Sequence, residues 1–167
     1  MSLSMYAVTV PVFTRYLTNL QSILVRAEAN AAERKIKPGV LAHARLAPDM
    51  HPLAFQVQSA TDRVKFAMAR LTGRTPPSWE DNEETLEQLR GRIDKALDYL
   101  KTFTPADVDG TDDKPLVLKV RGEDVTVPAQ EHILLNALPQ VFFHITTAYA
   151  ILRHNGVPIG KRDFTGL

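Results

Sequence analysis

The residues with the most chemical potential stand in the last third of the chain. His132, Asn136, Gln140 and His144 recur at four-residue steps, which on a helix lines them up along one slowly drifting stripe. Imidazoles and amides facing inward from a helical bundle are the groups from which metal and ligand sites are built there. The early part of the stripe, His132 and Asn136, is expected to face water. Gln140 and His144 stand among Phe142, Phe143 and Ile145, so at least one of them is expected to be buried, and a buried imidazole needs a hydrogen-bond partner. A core histidine satisfied by one neighbour is the plain alternative to a catalytic role. Arg153-His154-Asn155 follows where the helix should stop. Positive charge there suits the negative end of the helix dipole.

A second set lies between residues 49 and 65. Gln58, Asp62 and Lys65 fall on one face of a helix, and Phe55, Gln56, Ser59, Arg63, Phe66 and Arg70 share another arc. Asp62 can pair locally with Lys65, which contributes little, or reach a cation on another helix. A catalytic zinc needs three protein ligands and an open position, yet the chain contains no His-x-x-x-His and no Glu-x-x-His. His51 and His144 come from different helices and could meet. A third ligand would have to be Asp, Glu or the distant His43. Gly-x-Ser-x-Gly, phosphate-binding glycine loops and a dinucleotide fingerprint are all missing, which removes the usual signatures of nucleotide hydrolysis and hydride transfer.

Four helical patterns must position these groups. The first runs from Pro11 to Arg34, with Phe13, Leu17, Leu20, Leu24, Ala27 and Ala31 on one face and Pro11 in the first turn, where its missing N–H is harmless. Lys37-Pro38-Gly39 ends it. The second runs from Asp49, a plausible N-cap, to Leu71, with Gly73 as its C-terminal stop. Asp81 and Glu84 form a capping-box variant opening the third helix, whose stripe is Leu86, Leu89, Ile93, Ala96, Leu97 and Leu100. Val117, Val120, Val125 and Val127 flank Arg121-Gly122-Glu123-Asp124 and predict a small β-hairpin. The fourth helix runs from Ala129 to His154, kinked or split at Pro139 and closed by Asn155-Gly156. Four such helices predict an all-α antiparallel bundle.

Composition narrows the function classes. Lys and Arg total 20 against 19 Asp and Glu, a net charge of +1, with no basic block. A dedicated nucleic-acid binder would show a basic stripe, so no nucleic-acid partner is expected. No apolar run reaches about 18 residues, so no membrane-spanning helix is expected. The absence of cysteine rules out disulfides, thiolate zinc sites and a cysteine nucleophile. It is compatible with the cytoplasm, the expected location. The 167 residues fit one domain, and Met1-Ser2-Leu3-Ser4 reads as a leader ahead of a native start at Met5.

Several motifs together carry a resemblance. Arg45-Leu46-Ala47-Pro48-Asp49-Met50, Gln56-Val57-Gln58 with Asp62, Ala137-Leu138-Pro139, Phe143-His144 through Thr147-Ala148-Tyr149, and His154-Asn155-Gly156-Val157 with Gly160-Lys161 and Asp163 resemble an uncharacterised bacterial domain family related to the DinB/YfiT-like superfamily. The resemblance implies an up-down-down-up four-helix bundle, here with the small β-hairpin between helices 3 and 4, and often a homodimer. Many members of the superfamily hold a divalent metal through one histidine of the second helix and a His-x-x-x-His pair on the last. Some use it for thiol transfer or isomerisation. In this chain His144 matches the first of that pair, but Ala148 stands in place of the second.

The polar residues beside apolar helical faces predict a small-ligand pocket inside the bundle, lined by Gln56, Asp62, His144, Tyr149 and Arg153, with no cofactor. The alternative is a metal-dependent thiol transferase or hydrolase using zinc or nickel. A purely structural dimer is the third expectation.

Overall fold

A computed structural model describes residues 3–167. Of the expected leader, Met1 and Ser2 lie outside the described residues, while Met5 is buried in the core. The long helices are α1 (Val10–Glu33), α2 (Leu53–Thr72), α3 (Leu86–Leu100) and α6 (Leu138–His154). Each of α1 and α2 packs on both α3 and α6, so the four enclose one core. Phe13, Leu17 and Leu20 of α1, Val57 and Val64 of α2, Leu89 and Ile93 of α3, and Ile145 and Ala148 of α6 are completely buried there. These are the apolar faces that the three- and four-residue spacing defines.

Two helix starts differ from expectation, for a reason visible in the contacts. Asp49 does not cap α2, which begins at Leu53 after an extended Pro52. Its first free N–H groups are taken by backbone instead. Leu53 donates to the Ala44 carbonyl and Ala54 to that of Ala42, each at 2.9 Å. Nor do Asp81 and Glu84 open α3. Asp81 is drawn to Arg92 at 2.9 Å and Glu84 to His43 at 2.7 Å, and the capping box is made by Thr85 and Gln88.

Between α3 and α6 lie the one-turn α4 (Pro105–Val108) and the hairpin of β1 (Pro115–Val120) and β2 (Glu123–Pro128). The strands pair antiparallel, with Leu118 opposite Val125. Arg121 and Gly122, with φ of 52° and 90°, form the two-residue turn whose left-handed backbone matches strand twist. The short α7 (Lys161–Thr165) packs on α1.

The approach to α6 contains the main surprise. Helix α5 (Ala129–His132) runs into a π-turn over Ile133–Ala137 before α6 begins. The Leu138 N–H reaches five residues back to the Ile133 carbonyl, and Pro139, next in line, has no N–H to continue an α-helical ladder. The expected break at Pro139 is thus absorbed as a bulge. A π-turn holds one residue more than an α-turn, which advances the helical phase by about 100°. His132 therefore leaves the stripe. Contrary to expectation it does not face water but is 4% exposed, with neither ring nitrogen bonded. Asn136, beyond the shift, is exposed as expected.

A buried ionic cluster ties α2, α3 and the connection between them. The completely buried Arg92 donates to Thr61 Oγ1 and the Glu80 carbonyl, each at 2.9 Å. It also pairs with Asp62 and Asp81 at 2.9 Å and with Glu83 at 3.2 Å. Lys65 joins through Asp62 at 2.8 Å. Trp79 lies against both cations, 4.6 Å from Lys65 Nζ and 5.6 Å from the Arg92 guanidinium.

Candidate functional site

One polar contact crosses between α2 and α6 at the predicted residues. His144 Nδ1 lies 2.9 Å from Gln56 Oε1. Gln56 Nε2 in turn donates to the His51 carbonyl at 3.0 Å. A carbonyl can only accept, so the Gln56 amide is oriented, its oxygen must accept, and the proton sits on His144 Nδ1. The lone pair of Nε2 is then free. That nitrogen has no protein partner among the described residues, and it is not among the sealed, unbonded atoms of the interior. Burial pushes the His144 pKa below the usual imidazole range, with the charges of Arg63 and His51 adding to the effect. The ring is therefore a neutral acceptor at neutral pH.

Aromatic rings surround it. His51 stacks on Phe55 with centroids 3.9 Å apart, and Phe55 and Phe143 meet His144 edge-on at 6.2 and 5.4 Å. Phe55 is 37% and Phe143 59% exposed, so the cluster opens outward. Behind it Val57, Ala60, Val141, Ile145 and Ala148 are completely buried. The result is an open aromatic strip along the line where α2 and α6 meet, here called the valley.

The pairing of Gln56 with His144, together with the π-turn lying against α2, sets the register. α2 and α6 run antiparallel, with Arg63 opposite the start of α6 and Arg70 near His132. Both arginines are exposed. Among the described residues neither lies within ion-pair distance of a carboxylate. Partial burial, then the charge of Arg63, lowers the Arg70 pKa. Arg70 also rests 5.8 Å from the Phe66 ring. Burial first, then Arg70 and Arg63, lowers the pKa of His132.

Residues 5–165 match a domain of unknown function, DUF1993. The chain belongs to the DUF1993 family. A crystal structure of a DinB family member protein from Shewanella denitrificans is 42% identical to it, with a TM-score of 0.91, over 97% of this chain and 92% of that one. The comparison with curated proteins found no match.

Within this DUF1993 chain only two of the five predicted ligand residues meet, Gln56 and His144. Asp62 is held by Arg92 and Lys65 on the side of α2 that faces α3. Tyr149 lies about 140° round the helix from His144 and packs half-buried against Phe164 of α7, with centroids 6.4 Å apart. Arg153, about 180° round, is exposed at the end of α6. The residues that sequence reading passed over are Arg63, Phe55 and Phe143. The first two stand on the arc of Gln56 named from the sequence, Phe55 beside it and Arg63 seven residues on, and that shared arc was their available signal.

The three-histidine metal site of the DinB superfamily does not fit these residues. Ala148 occupies the place of the second last-helix histidine and is completely buried. The Gln56 oxygen already accepts from His144. Among the described residues no group of three His, Cys, Asp or Glu side chains lies close enough to hold a metal ion. A cleft of about 330 Å³ exists elsewhere, where Ala31, Ile36, Pro38 and Leu41 face Leu86 and Glu87.

Proposed function

We propose that this DUF1993 chain is a small-molecule-binding protein, on an up-down-down-up four-helix frame, whose ligand lies in the α2–α6 valley over His144. The observation that carries this reading is the hydrogen-bond relay from the His51 carbonyl through Gln56 to His144 Nδ1. A purely structural histidine needs no such orientation of a second nitrogen toward an open, aromatic-lined surface. The relay keeps Nε2 unprotonated and aimed outward, ready to accept a hydrogen bond or a proton from a ligand hydroxyl, thiol or N–H. Metal-dependent thiol transfer or hydrolysis would need a set of donors that does not assemble among the described residues.

Diethyl pyrocarbonate acylates neutral, accessible imidazole nitrogen, which makes it a direct test. Mass spectrometry of the native protein should find His144 modified at neutral pH alongside the exposed His51 and His154, with its own reactivity persisting as pH falls below the ordinary imidazole range. An unmodified His144 under conditions where those two react would sink the reading.

A further inference from the structure

The charges along the valley point to the class of ligand. Along the α2 arc stand Phe55, Ser59, Arg63, Phe66 and Arg70, and from α6 His144 and Phe143 meet its Gln56 end. Two of these are permanent cations and none is a carboxylate. Seven of the 20 Lys and Arg side chains, Arg26, Arg74, Arg90, Arg92, Lys65, Lys101 and Lys119, sit against an acidic side chain. Arg63 and Arg70 are among those that do not, and they lie seven residues apart on the helical face that carries the exposed Phe55 ring. An unpaired guanidinium offers a planar fork of donors that matches a carboxylate or phosphate. Seven residues of helix also separate Gln56 from Arg63, a span of about 10 Å, with exposed rings at its Gln56 end.

We infer that the ligand is a small organic anion with an apolar body about 10 Å long, its anionic end on Arg63 and its body across Phe55 and Phe143, where it meets His144. This deepens the reading of His144 above and rests on it. A second copy of the chain fits the valley poorly, because a two-fold contact sets the same patch against itself and would bring unpaired arginines together.

The probes are 4-phenylbutyrate and its uncharged counterpart 4-phenylbutanol, added to the full chain and followed by NMR at the His144 ring and by calorimetry. The carboxylate should shift the His144 resonances and bind about tenfold more tightly than the alcohol, and the preference should shrink as salt is raised. Arg63→Gln should remove the preference while leaving the alcohol's affinity unchanged, and Arg63→Lys should keep part of it. Arg63 is exposed, so both variants should fold. If carboxylate and alcohol bind equally at His144, the anion inference fails and the site reading stands. If neither probe disturbs His144, both fail. If His144 shifts fade as protein concentration rises and return in Phe143→Ser, the valley is covered by a second copy and the inference is overturned.

Discussion

At His144 one hydrogen bond decides which nitrogen is chemically free. Gln56→Glu would replace the neutral acceptor with a carboxylate and stabilise the imidazolium, so the His144 titration followed by NMR should move upward. An unchanged titration would mean that the contact does not form in solution. His132 tests burial without compensation. Its pKa and that of His144 are lowered, so the unfolded chain takes up protons before the folded one does. Their effect on stability is therefore absent above the ordinary imidazole range and becomes destabilising as pH falls below about 6.5. His132→Phe should flatten that fall, and at pH 5 should stabilise the protein by about 1 kcal/mol or more in urea unfolding. A steeper fall in the variant would refute this account. The sequence made His144 legible because apolar neighbours enclosed it. Tyr149 and Arg153 could have been set aside by the helical angle alone. His132 could not be read correctly, because its place depends on a bulge that no spacing rule announces.

At the scale of elements, the apolar stripes of α1, α2 and α3 and the left-handed stops at Gly73 and Gly156 were readable from local pattern. The starts of α2 and α3 were not. Asp81 and Glu84 look like caps in isolation, but tertiary partners claim both. Arg92 shows the same limit, since its burial depends on acids from two other segments, α2 and the connection that follows it. Arg92→Ala would leave the buried Glu83 carboxylate without its cation and open a cavity, and should cost about 3–5 kcal/mol. Arg92→Met fills the same space but leaves buried Glu83 without a cation, so urea unfolding should show it recovering only part of that loss. Glycines offer a cleaner comparison. Gly122 and Gly39 both have left-handed backbones, but a Cβ on Gly122 meets nothing within 4 Å, whereas one on Gly39 meets the Glu84 carbonyl at 3.2 Å. Gly122→Ala should cost about 1–2 kcal/mol and Gly39→Ala more. Equal losses would show that the Gly39 turn yields easily.

For the whole molecule, Trp79 is the single tryptophan and sits at the junction of α2, α3 and their connection. Its fluorescence and the far-ultraviolet circular dichroism should lose signal at the same urea concentration if the ionic cluster and the helices unfold as one unit. An earlier fluorescence transition would show the connection detaching first. Among the described residues no helix is long and apolar enough to cross a membrane, as the hydropathy of the chain predicts. The helical core was legible as a whole because burial repeats at the helical period, whereas the valley emerged only when two separate arcs were set side by side. The π-turn gives this architecture a particular evolutionary hinge. Straightening this turn into α-helix with the residue count unchanged would rotate the preceding segment by roughly a third of a revolution. Such a change would decide whether the imidazole at 132 stays beneath the surface or joins Asn136, Gln140 and His144 in line. At this one place, a change of backbone hydrogen-bond register amounts to a change in the set of reactive groups on display.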